Sequence, residues 1–203
     1  MTAILKVDTI QDTSGNNIIN ESSDTITIGA SGDTTNIVGT LQNNGSALIS
    51  GITEADQWRL TADYTYTGSG DLDSNLERVD SSGWGKIGTG MSQSSGIFTF
   101  PSTGIWLVKF NTTAYLNGDR RSSYASIKNT TNNSSYNSIS TAVTHIKQAE
   151  SNTTYIQSST ETLLDVTDTS NHKVKFNVFT SATTLGDTDT NYTHMMFIRL
   201  GAT

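Results

Sequence analysis

Apolar residues predict two strands in the middle of the chain, one on each side of its single proline. Pro101 has no N–H and a fixed φ, so it cannot lie inside a central strand and instead marks a break. The segments Gly96–Phe100 and Ile105–Phe110 are rich in β-branched and aromatic residues, which favour strands. We therefore expect a strand, a short turn and a second strand here.

The second strand is apolar on both of its faces. Trp106, Val108 and Phe110 point to one side, while Ile105 and Leu107 point to the other. Such a strand needs cover on both sides. The pattern indicates either a core between two sheets or a sheet whose outer face meets another subunit.

Most of the chain beyond Trp58 has the same character. Short β-type runs alternate with loops of Ser, Asn, Asp and Gly, and no segment has a convincing period of about 3.6 residues. About eight to ten strands at this spacing predict an all-β sandwich or barrel. The strand candidates are Thr61–Thr67, Leu76–Val79, Gly96–Phe100, Ile105–Tyr115, Ser122–Lys128, Ser135–Ile146, Thr154–Ser158, Glu161–Asp165, His172–Thr180 and Thr193–Leu200.

Residues 1–50 differ from the rest because they contain no aromatic side chain. An apolar position recurs there every ten residues, at Ile18, Ile28, Val38 and Leu48. A fixed period of this kind is typical of repeat architectures. The strand candidates of this segment are Ile4–Ile10, Asn17–Ile19, Thr25–Ile28, Asn36–Val38 and Ala47–Ile49.

One copy of this segment has too few aliphatic residues to offset the entropy lost on ordering it. We therefore expect three copies to share the apolar positions along one axis, as a trimeric β-prism or β-helical stalk without free strand edges. The alternative is a polar arm with scattered aliphatic residues. The predicted organisation is a stalk over residues 1–50, a hinge over 51–56 and a sandwich head over 57–203.

Composition narrows the classes of function. Hydrophobic residues make up 33% of the 203 positions, charged residues 15%, and the formal net charge is −7. Nucleic acid is an improbable partner for so acidic a chain, because basic side chains carry most of that affinity. The chain has no cysteine, which excludes disulfides and cysteine-based metal sites. It shows no signal peptide and no apolar run of about 20 residues, so we expect a soluble protein without membrane insertion.

Candidate chemistry is sparse, and we do not expect an enzyme or a bound cofactor. His145, His172 and His194 stand on separate strand candidates without a catalytic or zinc motif around them. The carboxylate pairs could hold calcium, although ordinary solvated loops are the favoured interpretation. These pairs are Asp71 with Asp73, Asp165 with Asp168, and Asp187 with Asp189.

Polar loop tips are better candidates for recognition, because binding residues concentrate on loops of a rigid scaffold. Tyr and Arg among Asn and Ser are typical of adaptable recognition surfaces. Solvated tips without any partner are the alternative. The candidate recognition residues are Arg120, Arg121, Asn132, Tyr136, Asp187, Asp189 and Tyr192.

The segment around Pro101 resembles the tumour-necrosis-factor (TNF) and complement globular-head superfamily. That pattern is an aromatic residue, a glycine, a second aromatic and an apolar residue at fixed spacing, matched by Phe98, Gly104, Trp106 and Val108. The resemblance covers residues 57–203. It implies a ten-stranded jelly roll that forms homotrimers through apolar strand faces. We expect the contacts at Ile18, Ile28, Val38 and Leu48 in the stalk, and in the head either at Trp106, Val108 and Phe110 or on the opposite face at Ile105 and Leu107.

The N-terminal segment Lys6–Asn20, followed by the ten-residue repeat, resembles structural proteins of tailed bacteriophages, particularly marine and cyanobacterial ones. This implies a virion-surface protein on the tail or capsid exterior, attached to other virion proteins through its N-terminal region. One interpretation is a short fibre whose head contacts a host glycan or envelope protein. The alternative is a capsid decoration protein at three-fold lattice positions. A glycan depolymerase is disfavoured, since no carboxylate pair lies in an aromatic context.

Overall fold

The structure is a computed structural model of the chain. It describes residues 9–11, 13–15, 17–22, 25–28, 32–39, 41–43, 46–47 and 51–203. The chain divides into two compact units, Met1–Ser50 and Gly51–Thr203. No helix occurs among these residues, so none of sufficient length and hydrophobicity to cross a membrane is found there.

The first unit contains short antiparallel strands. β1 (Thr9–Gln11), β2 (Asn17–Ser22) and β3 (Thr25–Ile28) form one sheet, and β4 (Gln42–Asn43) pairs with β5 (Ser46–Ala47). Ile28 is exposed, and Val38 is 92% exposed in a segment without strand structure. Leu48 lies outside the described residues, and Ile18 is described only as a backbone position of β2. The predicted strand at Asn36–Val38 is therefore wrong, while the trimeric stalk stays a prediction.

The second unit is a sandwich of two antiparallel sheets. Sheet I has the order β10-β11-β16-β13-β14, with β8 also pairing with β16. In sheet II, β15 pairs with one edge of β12, and β18 and β17 lie one after the other along its opposite edge. Beyond them, β6 and then β9 follow β18, and β7 pairs with β17. The strands are β6 (Ala55–Leu60), β7 (Tyr64–Thr65), β8 (Gly68–Asp71), β9 (Leu76–Arg78), β10 (Ser92–Ser94), β11 (Ile97–Thr99), β12 (Gly104–Leu116), β13 (Arg120–Thr130), β14 (Asn137–Ile146), β15 (Thr154–Val166), β16 (Lys173–Thr180), β17 (Thr183–Thr184) and β18 (His194–Gly201).

The alternation along β12 decides which of its side chains form the core. Trp106, Val108 and Phe110 are completely buried between the sheets, whereas Ile105 and Leu107 remain partly exposed on the outer face. The first group therefore has no surface left for contact with a second copy. Of the two alternatives for the trimer contacts of the head, only the face of Ile105 and Leu107 can offer such contacts.

The aromatic and glycine positions around Pro101 have distinct structural roles. Phe98 is buried, and its ring centroid lies 5.3 Å from those of both Phe176 and Phe197, which joins the two sheets. Gly104 has φ of +138°, and a Cβ at this position would lie 2.4 Å from the carbonyl oxygen of Gly201. Only glycine fits there, because this backbone conformation is strained for other residues.

Two buried charged residues on β6 tie the edge of sheet II to neighbouring loops. The carboxylate of Asp56 accepts hydrogen bonds from Nε1 of Trp58 at 2.9 Å, Nε of Arg78 at 2.9 Å and the backbone N–H of Met91 at 2.7 Å. Arg59 is also buried, and its guanidinium binds Glu77 at 2.7 Å. Ala55 and Asp56, which the sequence suggests as hinge residues, are thus the first residues of a strand.

Other strand bounds differ from expectation in identifiable places. The predicted strands Thr154–Ser158 and Glu161–Asp165 form one continuous strand, β15, which pairs with β12 along its whole length. In the predicted strand Thr61–Thr67, only Tyr64–Thr65 is paired. The glycine-rich strand β8 was not predicted, because Gly68–Asp71 lacks β-forming side chains.

Candidate interaction surfaces

The outer face of sheet II carries a band of apolar side chains, which we call the open face. Leu107 of β12 lies opposite Leu163 of β15 on one side and Ile198 of β18 on the other. Leu163 is 60% exposed, and Leu200, which lies where the pairing of β18 with β12 is irregular, is 53% exposed. No residue of the described sandwich covers these two side chains, so the band can bury apolar area against a partner.

Polar groups cross the middle of the open face. Nζ of Lys109 lies 2.7 Å from the carboxylate of Glu161, which is its cross-strand neighbour. In the next outward-facing row, Nε2 of His194 lies 3.1 Å from Nδ2 of Asn111. Burial lowers the pKa of His194, although the bond between its Nδ1 and the carbonyl of Asn191 opposes this effect. The imidazole is therefore held toward its neutral form.

Two tyrosines form the far end of the open face. Tyr115 and Tyr155 are cross-strand partners with ring centroids 5.5 Å apart, and Tyr155 is 60% exposed. The hydroxyl of Tyr115 donates to the carboxylate of Asp63 at 2.7 Å. The open face thus combines apolar, aromatic and partly paired polar groups, as association surfaces do.

The histidines do not assemble into a catalytic group. His194 belongs to β18 and His145 to the exposed side of β14, on the other sheet. His172 precedes β16, and its Nδ1 accepts a hydrogen bond from the backbone N–H of Thr167 at 3.2 Å.

The candidate recognition residues lie on separate parts of the head. Arg120 and Arg121 begin β13, whereas Asn132 and Tyr136 belong to the turn that follows its last residue, Thr130. A strand of this length places its two ends on the order of 30 Å apart. The structure therefore does not join these residues into one surface.

The tip residues at the second end are mostly engaged in local structure. Asn132 Oδ1 accepts from the backbone N–H groups of Ser134 and Ser135 at 3.0 Å, which closes the turn. The Tyr136 ring faces Nζ of Lys175, 4.5 Å from its centroid. Burial, followed by the charge of Asp71, raises the pKa of Tyr136.

The loop between β17 and β18 holds the remaining candidates. Asp187 Oδ1 accepts from the backbone N–H groups of Asp189 and Thr190, both at 2.7 Å, and these bonds hold the pKa of Asp187 below its usual value. Tyr192 is exposed in the same loop. Asp187 therefore shapes the loop, while Asp189 and Tyr192 lie on it.

One carboxylate of each pair considered for calcium already accepts hydrogen bonds within the protein. Burial opposes ionisation of Asp71, but hydrogen bonds from Asn177 at 2.7 Å and Lys128 at 3.1 Å outweigh it and lower the pKa of this carboxyl. Bonds from Ser170 and Asn171 likewise lower the pKa of Asp168. Among the described residues, no three His, Asp or Glu side chains are grouped as metal ligands.

Sequence reasoning missed the aromatic pair of sheet I and most of the open face. Tyr124 on β13 and Phe179 on β16 are cross-strand neighbours with centroids 5.0 Å apart, although they are distant in sequence. Leu163 and Ile198 join Leu107 only through the register of three strands. The alternation in β15 and β18 was the available signal, but it does not identify partner strands.

Comparisons with known proteins agree with this architecture. No family model matches the sequence, and no curated protein matches it. Among solved structures, Eiger TNF from S. frugiperda is similar with a TM-score of 0.54 and 9% identity over 73% of this chain and 93% of that chain. Murine APRIL at pH 8.5 is similar with a TM-score of 0.51 and 9% identity over 72% and 98%, respectively. The class that the fold defines is thus an all-β protein with a TNF-like jelly roll.

Proposed function

We propose that this chain is a non-enzymatic structural protein of a bacteriophage virion, a homotrimeric short fibre whose head contacts the host surface. The virion assignment rests on the resemblance of Lys6–Asn20 to phage structural proteins. The trimer rests on the TNF-like fold, because the resemblance of residues 57–203 to the TNF superfamily implies homotrimers.

The open face is the single observation that carries the trimer. Leu163 is 60% exposed on the outer face of a sheet whose inner face forms the core, and it lies opposite Leu107. Removing such side chains from water is favourable by about 25 cal/mol for each Å² of apolar area, and this opposes the entropy lost on association. Three copies can cover this band while leaving sheet I and its loops outside.

The exposure of aliphatic residues that the structure describes in the first unit also supports a trimer. Ile26, Ile28 and Val38 are all more than half exposed within one copy. Sharing them between copies would remove them from water, as the stalk model requires. In this proposal the stalk attaches to other virion proteins, and the protein is located at the virion surface.

Native mass spectrometry at micromolar concentration tests the trimer. We expect a species of three chains, each of 21.8 kDa. Leu163→Asp should dissociate it without unfolding the head, because three buried like charges without partners oppose assembly. Ser94→Asp places the same charge on an exposed strand of sheet I and should leave the trimer intact. A wild-type monomer would refute the proposal.

Val38→Asp tests the stalk separately. Val38 is 92% exposed in one copy, so the substitution should not change the fold of the monomer. Weaker trimers in this variant would assign part of the association to the first unit. Unchanged trimers would restrict association to the head.

Antibody labelling of phage particles tests the location. Label at the tail, together with blocked adsorption by the purified protein, is expected for a fibre. Label distributed over the capsid would contradict the fibre role and assign capsid decoration.

A further inference from the structure

A cleft of about 530 Å³ opens on sheet I beside the first residues of β13. Asp119, Arg120, Arg121, Tyr124 and Phe179 are among the residues that line it. None of these side chains belongs to the open face, so the cleft stays accessible in the proposed trimer.

The two arginines of the cleft have no acceptor for their guanidinium groups. Every other Lys or Arg side chain in residues 51–203 lies within bonding distance of a carboxylate, hydroxyl or carbonyl oxygen. Nε of Arg120 is buried without a hydrogen-bond partner. Leaving such a donor unpaired is costly, so the arrangement favours a ligand that supplies an acceptor.

The acidic residue of the cleft does not neutralise these arginines. Asp119 instead accepts from Nζ of Lys147 and from the backbone N–H of Gln148. These bonds hold the pKa of Asp119 below the usual value, so the carboxylate stays ionised and bound to Lys147 rather than to the two arginines.

A β-bulge accounts for two adjacent arginines lining one cleft. The pairing of β13 with β14 shifts between Arg120 and Ser123, where β13 has one residue more than its partner. Such a bulge interrupts the alternation of side chains and re-aims them.

An aromatic platform completes the cleft. Tyr124 and Phe179 stack at an interplanar angle of 23°, and Val143 of β14 lies opposite Tyr124 on its other side. The cleft thus offers two free guanidinium groups next to an apolar surface.

This combination selects a class of ligand. A guanidinium group binds a carboxylate through two parallel hydrogen bonds. The rings of Tyr124 and Phe179 offer an apolar surface against which the C–H face of a pyranose can pack. A simple inorganic anion would engage the arginines but would leave Tyr124 and Phe179 unused. We propose that the cleft binds an oligosaccharide that carries a carboxylate. The inference names a class of ligand for the proposed host contact, and the biological role of the cleft rests on that proposed function.

Isothermal titration of the full chain tests the inference with two acidic sugars, tetragalacturonic acid and sialyllactose. We expect at least one to bind. The affinity for its uncharged counterpart, the methyl ester or lactose, should be lower by about tenfold or more. Arg120→Gln with Arg121→Gln should cause a similar loss, and Tyr124→Leu a smaller one. Lys86→Gln, which removes a distant positive charge, should keep wild-type affinity.

The inference would be overturned by no binding of either acidic sugar, by equal binding of the uncharged counterpart, or by full binding of the double arginine variant. Displacement of the sugar by an equal concentration of inorganic phosphate would reduce the cleft to a simple anion site and would also overturn it. Native mass spectrometry of the double arginine variant distinguishes failure of this inference from failure of the proposed trimer. The trimer should persist in this variant whether or not the cleft binds a sugar.

Discussion

Buried charged residues are the least expected feature at the scale of single residues. Reading by hydrophobic pattern treats Asp56 and Arg59 as solvent-facing, yet both are buried with several partners. Apart from Trp58, their side-chain partners come from loops and strands that are distant in sequence, which a local pattern does not contain. By contrast, the sequence identifies Phe98 and Trp106 as structural positions of the head, because they belong to the motif of aromatic and glycine residues at fixed spacing around Pro101.

Asp56→Ala should lower the free energy of unfolding by about 3 kcal/mol or more, because it leaves Arg78, Trp58 and a backbone N–H of the core without their acceptor. Chemical denaturation of both proteins measures the difference. Asp80→Ala removes a mostly exposed partner of Arg59 and should cost about 1 kcal/mol or less. Equal losses in the two variants would contradict this role of Asp56.

His194 should make the head less stable in acid. Its pKa is lowered in the folded state by burial, so the unfolded chain takes up the proton first as the pH falls. Stability should therefore decline as the pH falls below the unfolded value of about 6.5 and level off below the folded pKa. His194→Gln should reduce this decline in denaturation curves between pH 8 and 5, whereas His145→Gln on exposed β14 should retain it.

At the scale of elements, strands next to clear breaks were predicted, whereas the glycine-rich β8 was missed and β15 was predicted as two strands. β11 and β12 lie on either side of Pro101 as expected. The prediction divided β15 between Ser158 and Glu161, because Ser159 and Thr160 lack apolar side chains. In the structure Thr160 is buried, and its hydroxyl lies 2.6 Å from that of Ser140. Hydrogen bonding between strands thus replaces apolar burial at this point.

Gly104→Ala should destabilise the start of β12. The added Cβ would meet the carbonyl oxygen of Gly201, and φ of +138° is strained for alanine, so we expect a loss of about 2 kcal/mol or more. Gly201→Ala is a matched control, since its Cβ would meet no atom within 4 Å. Thermal unfolding of the two variants compares them, and similar midpoints would argue against this account.

At the scale of the whole molecule, the two-layer β architecture was predictable and the cross-strand neighbours were not. The sequence motif at Phe98, Gly104, Trp106 and Val108 indicated the TNF-like head. The composition of the open face depended on the register of β15 and β18 against β12. Register follows from pairing over long stretches of chain, which a single sequence does not specify.

A trimer held by the open face should melt at a temperature that depends on protein concentration. Dissociation accompanies unfolding in such an assembly, so an increase of about a hundredfold in concentration should raise the midpoint by several degrees. Scanning calorimetry of the wild type and of Leu163→Asp measures this, and the variant should show little dependence. A wild-type midpoint independent of concentration would indicate that the copies unfold separately.

The position of β18 between β6 and β12 also affects how the protein is made in the cell. β6 and β12 leave the ribosome early, but the strand that joins them comes only at residues 194–201. Until then both strands have unpaired edges, which are sites of aggregation. A pause in translation before residue 194 would prolong this exposure. The yield of folded protein should therefore depend on the speed of the ribosome over the preceding codons and on chaperones that shield β12.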